Sequence, residues 1–336
     1  MELFGNPAHW LPLTFAMLMG LSILVYVVLD GFDLGVGVLF PFADDAEKDR
    51  MVASIGPFWD ANETWLVLAI GILLVAFPTA HGVILTALYL PVAIMLIGLI
   101  LRGVAFEFRV KAPAHHKHLW DKAFFAGSLM TALAQGFMLG KYIMGLDGGF
   151  GTWIFAMITA VFLAVGYSFI GACWIILKTD SVLQTKAVNW AKGGIWGLII
   201  GLIAVSLATP WVSPRIFDKW FTFPEFFLLL PLPLMSSVLI ALLWYALRHL
   251  PTRNDSWAWF PFAASVVLFM LAFFGMAYSF YPYVVPDQLT IYEAASAPES
   301  LFIILIGSVF VLPMIAGYTV LSYTIFRGKA TELRYD

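Results

Sequence analysis

In the stretch LDGFDLGVGVLF, residues 29–40, two carboxylates, Asp30 and Asp33, interrupt an otherwise apolar run. They lie three residues apart and so share one face of a helix. Asp60 and Glu63 in PFWDANETW repeat that spacing, and LRGVAFEFR adds Arg102 and Glu107. Where such runs span a bilayer, each buried ionisable group costs about 2.5–3.5 kcal/mol, so it persists where it pairs, meets water or does work. A carboxylate in a low-dielectric setting holds its proton more tightly and exchanges it near neutral pH. Acids and one guanidinium gathered at the same ends of three consecutive helices have the chemistry of a hydrated entry for protons. The competing reading is structural: Arg102 pairs with one acid, and the others cap helices or hold water. For Asp33 and Glu63 the two readings stand level. Asp30 and Asp60, flanked by apolar or aromatic residues, favour the proton role. Arg102 reads as a structural counter-ion, since guanidinium does not deprotonate in proteins.

The elements that must position these groups follow from composition. The chain is 62% hydrophobic and 12% charged over 336 residues, with a mean hydropathy of +0.91. No soluble domain of this size has an interior large enough for that much apolar surface. Stretches of about 20 apolar residues span the hydrocarbon as helices. About nine occur, centred near residues 25, 66, 92, 134, 165, 202, 236, 270 and 313. The expected fold is an all-α integral membrane bundle in one polytopic domain, residues 1–336, with no linker and no visible internal repeat. The short alternating segments of a β-barrel are absent. With the N-terminus outside, the odd-numbered loops and the C-terminal tail carry roughly 15 of the 18 Lys and Arg. Loops 41–54, 106–123, 178–192 and 248–256 and the tail from Arg327 are therefore expected in the cytoplasm, and residues 1–9 outside. All six charged motif residues then fall on the cytoplasmic side. The first span lacks a basic leader and a cleavage pattern and reads as a retained helix.

Gly31 and Gly35 form a small-xxx-small pair that lets a neighbouring helix approach closely and shield the two aspartates from lipid. GFDLGVG does not read as a phosphate loop, because it lies within an apolar helix and no strand precedes it. The single Cys173 excludes an internal disulfide and a thiolate cluster. All six histidines, His9, His81, His115, His116, His118 and His249, fall at helix ends or in loops. A haem b held by two histidines needs them facing each other at membrane depth, so the chain is expected to supply no haem ligand and no metal site. The loop RVKAPAHHKHLWDK, residues 109–122, reads as a solvated basic loop beside anionic headgroups rather than a metal site. No nucleic-acid motif accompanies its charge.

Together, LDGFDLGVG, PFWDANETWL and LRGVAFEFR, in that order, resemble subunit II of cytochrome bd-type ubiquinol oxidases. SFYPYVVP, residues 279–286, and VFVLPMIAGYT, residues 309–319, extend the resemblance. It covers residues 20–123 and 261–327; the middle is similar in its pattern of spans. The length is closer to the cyanide-insensitive branch than to the longer enterobacterial members. The resemblance implies a heterodimer in the bacterial inner membrane. Its subunit I carries two b-type haems, one haem d and the quinol site. Subunit II packs against it in pseudo-symmetry. The implied activity is electrogenic quinol oxidation with reduction of oxygen to water, protons being drawn from the cytoplasm without pumping. The family's proton pathway includes the acid of the Trp59–Asp60 pair and an acid that matches Glu107. Asp30 and Asp33 match the first-span acids, and Arg102 the family arginine. The resemblance also admits a bound quinone or lipid on this chain and a small accessory membrane subunit.

Two other functions compete. A proton-coupled secondary transporter would place its acids near the midplane in broken helices, whereas these cluster at one end. A pure scaffold would use the same acids to hold a partner's helices in register. Only substitutions that leave assembly intact separate the scaffold from the proton-conducting subunit.

Overall fold

The structure is a computed structural model and describes residues 6–252 and 254–330. Residues 1–5 of the expected external segment, residues 331–336 of the expected cytoplasmic tail, and Arg253 lie outside the described residues.

Among the described residues, nine helices are long and apolar enough to cross a membrane. The helices are α1 (Pro7–Leu39), the short polar α2 (Asp45–Ile55), α3 (Trp59–Ala76), α4 (Pro78–Lys111), α5 (Lys117–Ile143), α6 (Phe150–Lys178) and α7 (Ser181–Val212). Two short helices follow, α8 (Pro214–Phe221) and α9 (Glu225–Leu229), then α10 (Pro231–His249) and α11 (Phe260–Phe280). A small hairpin of β1 (Tyr283–Val285) and β2 (Leu289–Thr290) leads through α12 (Ile291–Ala294) to α13 (Pro298–Ile325). All-helical spans are what lipid demands, because each backbone donor and acceptor is satisfied within its own segment.

The contacts divide the chain into two compact units. One gathers the chain up to Asp30 with Pro57–Leu88 and Phe280–Arg327; the other gathers Gly31–Gly56, Tyr89–Ser279 and the chain from Gly328. Helices α1 and α4, and α11 through its last residue, contribute to both.

In the first unit, α3 and the residue that caps it are tied to α13 by a hydrogen bond and a ring stack. The Trp65 indole donates to the Thr319 hydroxyl at 3.3 Å, and Phe58 stacks on Tyr323 at 4.4 Å between centroids. Ser296 closes the far end of α3 by donating to the carbonyls of Val75, at 2.7 Å through its hydroxyl, and Ala76, at 2.9 Å through its amide.

In the second unit, α5, α6 and α7 form consecutive antiparallel hairpins, and α6 is the most buried span. The α5–α6 turn passes through Gly145 and Leu146, both at positive φ, and Lys141 donates to the Asp147 carbonyl across it at 2.9 Å. The α1 segment crosses α6 backbone to backbone. A Cβ on Gly171 would lie 2.6 Å from both the Gly35 carbonyl carbon and the Val36 nitrogen, and one on Gly31 would lie 2.7 Å from the Tyr167 ring. The helix brought close to Gly31 and Gly35 is thus α6. Phe32 stacks on Trp174 of α6 at 4.2 Å, and Trp174 donates to the Ser54 carbonyl at 3.2 Å.

Candidate functional site

Asp30 and Asp33 occupy the second half of α1 and are both 0% exposed. Gly31 and Gly35, on a different face of the same segment of α1, admit α6 to close approach. The backbone just ahead of Asp30 is held from α3. Asn62, itself fully buried, donates through Nδ2 to the Leu29 carbonyl at 3.3 Å and accepts at Oδ1 from the Tyr323 hydroxyl at 3.1 Å. In a regular helix the Leu29 carbonyl is also the acceptor for the Asp33 amide. The side-chain amide therefore uses the second lone pair of a carbonyl already engaged in α1.

The remaining motif residues have different settings. Trp59 is half-buried and Asp60 is exposed, both in the first turn of α3, while Glu63 is half-buried one turn further on. A carboxylate in a first turn also complements the positive end of the helix dipole. Arg102 is 1% exposed and lies where α4 and α5 cross closely: a Cβ on Gly127 would stand 2.7 Å from the Arg102 amide nitrogen. Glu107 is exposed near the end of α4 and faces Lys111 at 3.6 Å.

The sequence motifs did not announce the belt of ion pairs at one end of the second unit. Arg109, 3% exposed, meets Asp121 and Asp49, each at 2.6 Å, and its guanidinium lies 5.2 Å from the Phe40 ring. Lys48 reaches Asp121 at 3.1 Å, Lys186 meets Glu47 at 2.6 Å, and Arg50 meets Asp180 at 3.3 Å. Gln184 donates to Asp255 at 2.6 Å, Lys329 pairs with the same carboxylate, and Lys178 donates to the Gly328 carbonyl at 2.9 Å. Segments from all four loops expected in the cytoplasm, and from the tail, thus meet at one end of this unit. The signal for the belt was present as loop charge, but pairing partners over 100 residues apart have no local signature. Burial opposes the charge of Lys48, yet hydrogen bonds to Asp121 and Asp45 hold its ammonium above the usual lysine range. The Glu47 amide, which caps against Asp44, and the Lys186 ammonium hold the Asp44 carboxyl below its usual range.

The histidines do not fit a haem held by this chain. His9 opens α1, His81 lies in the first turn of α4, His115, His116 and His118 surround the α4–α5 turn, and His249 ends α10. His115 and His116 are sequence neighbours with rings 4.1 Å apart, an arrangement that does not place two imidazoles on opposite faces of a macrocycle. Among the described residues, no three His, Cys, Asp or Glu side chains are grouped to hold a metal ion.

Comparison with known proteins gives one answer throughout. The chain is 29% identical to "Cytochrome bd ubiquinol oxidase subunit 2" of Bacillus subtilis over 91% of its own length and 93% of that protein. It is 26% identical to "Cytochrome bd-I ubiquinol oxidase subunit 2" of Escherichia coli K12, covering 94% of each chain. The fold matches a chain of the bd oxidase from Geobacillus thermodenitrificans with a TM-score of 0.73 at 17% identity, over 95% of this chain and 99% of that one. The cytochrome bd terminal oxidase subunit II family matches residues 11–326, and the chain belongs to that family.

Proposed function

We propose that this chain is the multi-pass inner-membrane subunit II of a terminal quinol oxidase. It assembles with a haem-bearing subunit I and contributes a proton route from the cytoplasmic side to the site where oxygen is reduced to water. The observation that carries the proton role is the pair of fully enclosed carboxylates, Asp30 and Asp33, one turn apart on α1. Two acids one turn apart at that depth can relay a proton from one to the other. Asp60 and Glu107 are the leading carriers at the approaches, because their exposure on the isolated chain lets them collect protons from water or pass them to a partner's surface. Glu63 supports the route on α3, and Asn62 holds the α1 backbone in place. Trp59 and Arg102 are structural, as are Gly31 and Gly35. Two b-type haems and one haem d belong to the partner in this reading. The lipid bilayer surrounds the complex, and a bound quinone and a small accessory subunit are compatible with it.

A scaffold role has its own support at Glu107, whose i,i+4 contact with Lys111 accounts for that acid without proton transfer. The orientation, N-terminus outside and C-terminus cytoplasmic, rests on loop charge.

The test is to purify the complex through a tag on this chain, from wild type and Asp60→Asn, and to record the reduced-minus-oxidised spectrum with quinol-driven oxygen uptake. Haem content equal to wild type with sharply slower uptake supports proton delivery through Asp60. Equal uptake assigns Asp60 to structure, and absence of haem from the wild-type preparation rejects the oxidase reading.

A further inference from the structure

Within the second unit, α7 and α10 pass each other and leave a groove of about 240 Å³ between them. Its walls repeat at one-turn spacing, with Ile195 and Ile199 on α7 and Ser237 and Ile240 on α10. At the end nearer the ion-pair belt, the rings of Trp196 and Trp244 meet edge to face with centroids 5.5 Å apart, and Trp196 is 54% exposed. Apart from these indoles, the one polar side chain in the wall is Ser237, whose hydroxyl is already engaged in donating to the Pro233 carbonyl at 2.8 Å. The groove therefore offers hydrocarbon along its length. It is smaller than the roughly 300–1,000 Å³ of pockets that enclose compact small molecules, and it suits a single extended chain laid between two helices.

Beyond each tryptophan, one turn nearer the belt, stands a cation. Lys192 precedes Trp196 by four residues on α7, and Arg248 follows Trp244 by four on α10, which is about 6 Å along each helix axis. The Arg248 guanidinium is exposed and lies 4.9 Å from the centre of the Trp244 ring; Lys192 is half-buried. Among the described residues neither cation has an ion-pair or hydrogen-bond partner, whereas Lys48, Arg50, Arg109, Lys186 and Lys329 in the belt all engage carboxylates. Neither α7 nor α10 contains an acid. Asp255, the acid of the loop after α10, is taken up by Gln184 and Lys329. Two cations thus stand at the mouth of an apolar groove, at the end whose loops are expected in the cytoplasm, where the leaflet surface is anionic.

We propose that the groove between α7 and α10 holds an acyl chain of an anionic phospholipid, whose phosphodiester headgroup is bound by Lys192 and Arg248. The guanidinium brings N–H donors in a fixed fork that matches phosphate oxygens, and the ammonium brings three more. Trp196 and Trp244 occupy the level between charge and hydrocarbon, where rings with one polar edge are favoured. Charge selects the headgroup, and the groove selects a lipid over a free ion. The site is independent of the acids on α1 and α3.

The test uses the intact complex, stripped of lipid in detergent and titrated with phosphatidylglycerol, with bound lipids counted by native mass spectrometry. Lys192→Gln and Arg248→Gln are each expected to weaken one bound lipid about fivefold, the effect of removing one cation near an anionic headgroup. Ala241→Phe fills the groove wall, leaves both cations in place and is expected to lose the same lipid. The wild-type complex, which needs no variant to assemble, is expected to retain phosphatidylglycerol against an equal concentration of phosphatidylcholine. Occupancy unchanged in both charge variants, or equal retention of phosphatidylcholine, overturns the headgroup site. Displacement by millimolar inorganic phosphate or by a short-chain quinone overturns the lipid assignment, because the groove then holds no acyl chain or holds a different ligand.

Discussion

The crossing of α1 and α6 gives a prediction with a magnitude. Ordinary van der Waals contact to a Cβ begins at 3.4 Å, and a Cβ on Gly171 would stand 2.6 Å from two backbone atoms of Gly35 and Val36. The obstructing atoms belong to a helix backbone and cannot rotate aside, so Gly171→Ala must part the two helices by about 0.8 Å. Overpacking of a close-fitted interior costs about 1–3 kcal/mol. Gly35→Ala is expected at or above the top of that range, because its Cβ would fall against the Tyr167 carbonyl oxygen. Parting the helices also loosens the Phe32–Trp174 stack. The assay is the unfolding midpoint of the detergent-solubilised complex together with its haem-to-protein ratio. Gly307→Ala, where nothing lies within 4 Å of the added Cβ, is the control and should change stability by less than about 0.5 kcal/mol. If Gly171→Ala and Gly35→Ala both unfold with the control, the helices do not meet at these glycines.

Two further outcomes follow from the ion-pair belt. Arg109→Met should destabilise the complex by about 3–5 kcal/mol, the usual effect of removing one partner from a buried charge pair, and Arg109→Met combined with Asp121→Asn should recover part of the loss; equal effects from the single and double variants would refute the pairing. The Asp44 carboxyl is depressed, so what it adds to the α2 cap is fully present above its unfolded-state value and is lost as pH falls through the lower folded-state value. Amide exchange in α2, corrected for its intrinsic rate, should therefore stay flat from neutral pH down to about 4 and rise only below that, whereas Asp44→Ala should raise it at every pH; a rise beginning near neutral pH would contradict the assignment.

Much of the architecture was legible from local properties. The spans can be read because bilayer thickness sets their length and each helix satisfies its own backbone, so neither constraint depends on a distant residue. The motif acids stood out for the same reason: Asp30 and Asp33 are conspicuous in an apolar helix whatever surrounds that helix. The small-residue spacing at Gly31 and Gly35 pointed to a close neighbour, yet nothing in it named α6, since the Gly171 backbone and the Tyr167 ring come from more than 130 residues away.

The sequence by itself determined the helical membrane bundle, the family motifs and which residues carry charge, because composition and periodicity act over one span at a time. Only the tertiary structure separated those charges by environment: Asp30 and Asp33 enclosed, Asp60 and Glu107 exposed, Arg102 and Arg109 buried. It also revealed Asn62, a neutral side chain inside a quoted motif, as the group that holds the α1 backbone at Leu29. Burial and hydrogen-bond partners are properties of helices meeting, and the energy of a charge in a membrane is decided by what it meets.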